Sequence, residues 1–259
     1  MQINGKVVLI TGASQGIGAA CANEFRQRGA RLSLTARSED KLKAVGGADA
    51  LITAGDITDP ATRSTVVART LERFGAIDIL INNAGVGVYA PAWQAPQDET
   101  RAMFELNFFT PLAMMQLVVP HMRESGGGTL VNIGSIAGKM TLPWLTLYSA
   151  TKFALGSLTD GLRMELADTG IRAMIVCPGY VQTGFQGNVL VGRPPEKLVR
   201  SKKFAITAEQ CAKAVARGVE RNKRTVVTPG VGWAFIAAAR LFPSLVEAQM
   251  SKMNRSYDS

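Results

Sequence analysis

Seven short apolar runs recur along the chain, each followed by a glycine-rich turn or a helix-like segment. They are KVVLIT (6–11), RLSLTA (31–36), ALITAGDI (50–57), IDILINN (77–83), GTLVNIGS (128–135), IRAMIVCP (171–178) and RTVVT (224–228). The runs are continuous rather than alternating, so each strand is expected to be buried on both faces. Helices are predicted over 16–29, just after 36, over 60–74, 98–123 and 144–168, and over about 207–221. Pro60 suits a first helical turn, whereas Pro111 and Pro120 are expected to kink or end the 98–123 helix. Strand–helix alternation of this kind gives an α/β fold, a doubly wound parallel sheet of about seven strands with helices on both faces. At 259 residues and 47% hydrophobic, the chain suits one such domain over 1–259. Ligands of these sheets bind beyond the carboxyl ends of the strands, where strand order reverses, so the residues just after each strand carry the functional signal.

Composition narrows the classes. Cys21, Cys177 and Cys211 are scattered and odd in number, which points to neither a disulfide framework nor a zinc site, and no metal is expected. The first residues, MQINGKVVLITG, do not have a signal-peptide layout, and no apolar run reaches the ~20 residues of a membrane span. A cytoplasmic location is therefore expected. The net charge is +9, and Arg193–Arg224 holds ten basic residues against three acidic ones. Such a stretch suits an anionic substrate, an acidic carrier protein or anionic lipid, or is a solvated basic face. No nucleic-acid recognition motif accompanies it, so no nucleic-acid partner is expected.

After the first strand comes TGASQGIG (11–18). Gly12 permits a tight turn, and Gly16 and Gly18 allow close approach of a pyrophosphate and of helix to strand. Ser14, Gln15 and Ile17 complete the turn, and the helix N-terminus offers free N–H groups to phosphate. The second strand ends SLTARSED (33–40). An acid at this strand end accepts from the ribose 2′-OH of NAD, but here Ala36 holds that place and Arg37 follows. The planar donors of Arg37, with Ser38 beside it, match a 2′-phosphate, so the expected cofactor is NADP(H). Glu39 and Asp40 would weaken this reading if the strand ended two or three residues later.

With these motifs in order, the chain resembles the short-chain dehydrogenase/reductase family from about Gly5 to Val227. The resemblance rests on TGASQGIG (11–18), GDI (55–57), NNAG (82–85), Asn107, GS (134–135), YSATK (148–152), and PG (178–179) with Thr183. It implies that Asp56 meets the adenine amino group with Ile57 beside the ring. Asn83, Ala84 and Gly85 would line the adenosine side, and Pro178, Gly179, Val181 and Thr183 would hold the nicotinamide end. Asn107, Ser135, Tyr148 and Lys152 would be the catalytic four, with Asn107 holding a water that links Lys152 to solvent. The resemblance also implies a homo-oligomer associating through the helices at 98–123 and 144–168.

The chemistry follows from spacing. Residues i and i+4 share a helix face, so Tyr148 and Lys152 point into one cleft. A free tyrosine has a pKa of about 10, and a nearby ammonium, together with the positive charge of an oxidised nicotinamide, is expected to lower it. Tyr148 would exchange a proton with a carbonyl or alcohol oxygen that Ser135 also hydrogen-bonds. Val86, Val88, Tyr89, Ile136, Met140, Leu142, Trp144 and Phe185 are candidates for an apolar substrate wall, with Trp144 one turn before Tyr148 on the same face. The substrate expected is a small, lipophilic ketone or secondary alcohol. Residues 183–206 form a long candidate substrate loop. The apolar tail 229–255 has three candidate roles: capping the cleft, packing across a dimer, or lying on a membrane surface. Two other functions stay open: a 3-oxoacyl-carrier-protein reductase, and an NADP-binding sensor or structural subunit without turnover. His121, the only histidine, is assigned no role.

Overall fold

The computed structural model describes residues 1–193 and 204–255. In chain order the elements run β1 (Val7–Thr11), α1 (Gly16–Gln27), β2 (Arg31–Ala36), α2 (Glu39–Gly46), β3 (Leu51–Ala54), α3 (Pro60–Phe74), β4 (Ile79–Asn82) and β5 (Gly87–Val88). Next come α4 (Gln97–Phe104), a π-helical turn (Glu105–Phe109), α5 (Thr110–Glu124), β6 (Gly128–Ile133), α6 (Thr146–Glu165), β7 (Ile171–Pro178) and β8 (Val181–Gln182). The chain then forms β9 (Val189–Val191), β10 (Ile206–Thr207), α7 (Ala208–Glu220), β11 (Thr225–Thr228), α8 (Gly232–Leu241) and α9 (Pro243–Arg255).

Seven strands build one parallel sheet in the order β3-β2-β1-β4-β6-β7-β11. Successive side chains of each strand feed opposite layers. Val8 and Ile10 of β1 join Phe25 of α1 and Val215 of α7 on one face. Leu9, between them, meets Val66 of α3 and Met114 of α5 on the other. Ile79 and Ile81 divide from Leu80 in the same way along β4. Two apolar layers are why these strands read as unbroken apolar runs. The order reverses between β1 and β4, and this opens a crevice beyond their carboxyl ends.

A buried polar chain ties the centre of the sheet to α6. Asn82 donates to Asn132 Oδ1 at 2.9 Å, and Asn132 donates to Thr159 Oγ1 at 2.9 Å. It fixes the register of β4 on β6 beneath the crevice, where Asn82 faces Asn132.

Several boundaries differ from the sequence expectation. The 98–123 helix divides at the π turn, Pro111 sits in the first turn of α5, and Pro120 lies inside α5 without ending it. By length and composition alone, Gln97–Glu124 would suit a membrane span. Here it carries Met103, Met114, Met115, Val118 and Met122 into the protein interior. α6 starts at Thr146 rather than 144, and Trp144 takes a left-handed conformation (φ 59°) in the preceding loop. Trp144 is therefore not one helical turn before Tyr148, and the shared-face expectation is corrected. Two small parallel pairs, β5 with β9 and β8 with β10, were not foreseen. Of the 183–206 loop, Pro194, Pro195, Lys197, Arg200, Lys202 and Lys203 lie outside the described residues.

Candidate active site

The glycine turn is held by Asn83. Its Nδ2 donates to the carbonyls of Thr11 and Gly12, each at 3.0 Å. The backbone N–H groups of Asn83 and Ala84 donate to Thr11 Oγ1 at 3.0 and 3.1 Å. The end of β1, the turn and the end of β4 thus form one hydrogen-bonded unit. Gly12 has φ 64°, and a Cβ on it would sit 2.8 Å from Ala84 Cα. A Cβ on Gly18 would strike the Gly12 carbonyl oxygen and the Asn83 amide. Gly18 therefore serves close packing beneath the turn.

Beyond the turn lies a cleft of about 740 Å³. Gly12, Ser14, Gln15, Gly16 and Ile17 line it on one side, with Arg37, Ser38, Asp56 and Ile57 at one end. Asn83, Ala84, Gly85, Ser135, Tyr148 and Lys152 form its floor and far wall, and Pro178, Gly179, Val181 and Thr183 close it. Asp56 Oδ1 accepts from the N–H and hydroxyl of Thr58 at 2.9 and 2.8 Å, which sets the turn after β3. Of the expected catalytic and cofactor-binding residues, only Gly18 and Asn107 do not line the cleft.

Asn107 is fully buried in the π turn. Its Nδ2 donates to Val86 O at 2.9 Å and to Thr151 Oγ1 at 3.2 Å, and its Oδ1 accepts from Val86 N at 3.0 Å. The side chain is thus committed to the backbone after β4 and to α6. π turns recur at functional sites because they re-aim one residue within a helix. A Cβ on Gly85 would lie a tight 3.1 Å from Asn107 Oδ1 and at ordinary contact, 3.6 Å, from Lys152 Nζ, so Gly85 stands beside both side chains.

Lys152 is buried, and its Nζ donates to Ile133 O at 3.0 Å. Burial lowers its pKa from 10.5 to about 8. The Ser135 hydroxyl hydrogen-bonds Tyr148, and it also accepts from Ala137 N at 3.1 Å. The Lys152 ammonium lies 5.6 Å from the Tyr148 ring centroid. The sequence led us to expect a lowered tyrosine pKa, but burial raises the Tyr148 hydroxyl well above its usual value and the Tyr89 phenol adds to this. The bond from Ser135 only partly offsets them. Tyr148 is therefore a neutral phenol at ordinary pH, a proton donor rather than a phenolate.

Val86, Tyr89, Ile136, Leu142 and Phe185 line the cleft as expected, whereas Val88, Met140 and Trp144 do not. Phe185 packs edge-on to Tyr148 with ring centroids 5.8 Å apart. Sequence reasoning missed Lys41, Leu106, Tyr180, Asn188 and Leu190, all of which line the cleft. Lys41 stands four residues after Arg37, a spacing that was legible. Asn188 is brought in by the unforeseen β5–β9 pairing and accepts from Gln15 Nε2 at 3.0 Å. The basic residues Lys213, Arg217, Arg221, Lys223 and Arg224 are exposed and line no part of the cleft.

A family model described as short chain dehydrogenase matches residues 6–192. The chain belongs to the short-chain dehydrogenase/reductase family. Among its relatives is an uncharacterized oxidoreductase of Thermotoga maritima, 36% identical over 82% of this chain and 87% of the relative. An 11-beta-hydroxysteroid dehydrogenase-like protein of Arabidopsis thaliana is 33% identical over 98% of this chain and 83% of its own length. The ketoacyl reductase HetN of Nostoc is 35% identical over 87% and 78%. A Burkholderia phymatum family structure in complex with NAD superposes with TM-score 0.85 at 25% identity, covering 96% of both chains. A Burkholderia cenocepacia short chain dehydrogenase in complex with NADP has TM-score 0.80 at 30% identity, covering 96% of this chain and 99% of that one. This short-chain dehydrogenase/reductase is thus an oxidoreductase whose structural neighbours hold a nicotinamide dinucleotide, either NAD or NADP.

The buried Lys152 makes stability depend on pH. The unfolded chain keeps that proton up to about 10.5, whereas the folded chain releases it near 8. The ammonium therefore opposes folding at neutral pH, and the opposition fades as pH rises from 8 to 10.5. Lys152→Met is expected to melt higher than the parent at pH 7, by about 2–4 °C for each kcal/mol relieved. The difference should narrow toward pH 10.5, and thermal melts of both proteins across that range check it.

Proposed function

We propose that the protein is an NADP(H)-dependent oxidoreductase that interconverts a lipophilic ketone and its secondary alcohol. The observation that carries the reading is Ser135, Tyr148 and Lys152 lining one cleft together with a set of apolar side chains. The bound nicotinamide supplies or accepts the hydride. Tyr148, neutral because it is buried, gives its proton to the carbonyl oxygen, and Ser135 donates a second hydrogen bond to the same oxygen as charge develops. In the oxidising direction Tyr148 takes the proton back. Lys152 acts as a buried cation that holds cofactor hydroxyls and stabilises the tyrosinate as it forms. Asn107 is a positioning residue. Its side chain is spent on Val86 and Thr151, so any water it holds is held through its backbone carbonyl.

The NADP(H) preference is supported by the end of β2. The strand stops at Ala36 as expected, and Arg37, Ser38 and Lys41 line the cleft. Glu39 is turned to Lys43 at 2.8 Å, and neither Glu39 nor Asp40 lines the cleft. Two cations and no acid reach the cleft from the 37–41 segment, which favours a 2′-phosphate over a bare ribose hydroxyl. Arg37→Ala should weaken NADPH binding about tenfold or more and leave NADH binding unchanged, as read by fluorescence titration.

The lipophilic substrate is supported by Val86, Leu106, Ile136, Leu142, Phe185 and Leu190, which line the same cleft as Tyr148. The likeness to HetN and the exposed basic residues of α7 support a second reading, reduction of an acyl-thioester ketone. Consumption of NADPH against aliphatic, aromatic, steroid and acyl-thioester ketones decides between them. Tyr148→Phe should cost about 10²–10⁴-fold in kcat with the preferred ketone. An unchanged rate in that variant would remove Tyr148 as the acid, and cofactor binding with no turnover of any ketone would favour a sensor.

We also propose a homo-oligomer formed through α5 and α6. Phe109, Phe153 and Met164 are exposed along this helix pair and its junction. A solution mass well above the 27.6 kDa of one chain, by light scattering, is the expected result.

A further inference from the structure

The helix α8 is unsuited to water on its open side. Its sequence is GWAFIAAARL, with Arg240 the single polar side chain. A helix that is apolar all round belongs inside something. Yet α8 buries only Gly232 and Ile236, the latter in a small cluster with Leu155, Ile175, Cys177 and Val227. Opposite that face, Trp233, Ala234, Ala237 and Leu241 fall within an arc of about 100° and are all exposed. Trp233 is 50% exposed, Leu241 71%, and Leu245 of α9 72%, with Phe242 between the helices also exposed. Phe235 continues the apolar surface to Phe204, edge to face at 5.7 Å between centroids. A continuous patch of this kind marks a docking surface.

Charge and length select its occupant. Ten residues of helix reach ~15 Å, about half the ~30 Å hydrocarbon thickness, so α8 is too short to cross a bilayer but long enough to lie in its surface. Trp233 and Leu241 share one face of α8 with Arg240 at its edge, the pattern of an interfacial helix. Arg240 stands at the edge of the apolar arc and Lys252 is exposed on α9, where long stems let the cations reach headgroups. The chain carries +9. Within the two helices Arg240, Lys252 and Arg255 outnumber Glu247, so an anionic bilayer brings charge opposite to that of this face. We infer that α8 and α9 dock on an anionic lipid surface, seating Trp233, Leu241, Phe242 and Leu245 among the acyl-chain ends. The docking is independent of any assignment of substrate.

The test is co-sedimentation of the full chain with vesicles of phosphatidylcholine alone, and of phosphatidylcholine with about one-third phosphatidylglycerol. Binding to the anionic vesicles should be at least about tenfold tighter than to the neutral ones and should weaken in high salt. The triple variant Trp233→Ser, Leu241→Ser, Leu245→Ser changes only exposed side chains. It should keep its melting temperature and solution mass and lose vesicle binding about tenfold or more. If the triple variant proves unstable, Arg240→Glu with Lys252→Glu should reduce binding to the anionic vesicles alone. Three results overturn the inference. These are no binding of the parent chain to anionic vesicles, equal binding by the triple variant, and a fall in the triple variant's solution mass, which would assign the face to a second copy.

Discussion

The amide of Asn83 is the interaction on which the site depends. It donates to two consecutive carbonyls at the end of β1, while Thr11 accepts from the backbone after β4. β1 and β4 are the neighbours between which strand order reverses, and at such a point two strand ends part and leave a crevice. Without a bond across them, the glycine turn would be anchored on one side only. With it, the turn, the start of α1 and the backbone that leads to Gly85 move as one body. Every group that faces the cleft is placed relative to that body.

The second constraint is burial at the far wall. Lys152 reaches the cleft from inside the protein and bonds Ile133 O, and Asn107 is sealed behind it. Burial pushes the ammonium toward neutrality and the phenol of Tyr148 away from ionising. The two shifts have one cause and leave a neutral proton donor beside an easily discharged cation. A pair at the surface with the same spacing would keep nearly ordinary values, so depth rather than spacing sets the chemistry.

Much of this was legible in the sequence. β2 and β7 fall where the apolar runs end, because a strand buried on both faces must be apolar throughout. The residues after six of the seven runs line the cleft because strand ends define it, and only those after 224–228 do not. What escaped notice had no periodic signal. Two-residue strands such as β5 and β8 carry none, so the β5–β9 pair and Asn188 were invisible. The π turn at 105–109 is one extra residue per turn within a helical pattern, which the pattern does not reveal. Trp144 was placed on the helix because its spacing from Tyr148 fits, while its left-handed backbone lies just outside. The direction of the Tyr148 shift was missed because the sequence shows the neighbouring charge but not the depth.

The bond from Gln15 to Asn188 joins the glycine turn to the segment that carries Phe185 and Leu190. The chain thus uses one stretch for two walls, one against the glycine turn and one against Tyr148. A mutation that reshapes the pocket around Phe185 also disturbs a partner of the turn. Pocket shape beside Tyr148 and the set of the glycine turn are thereby coupled through a single side-chain bond.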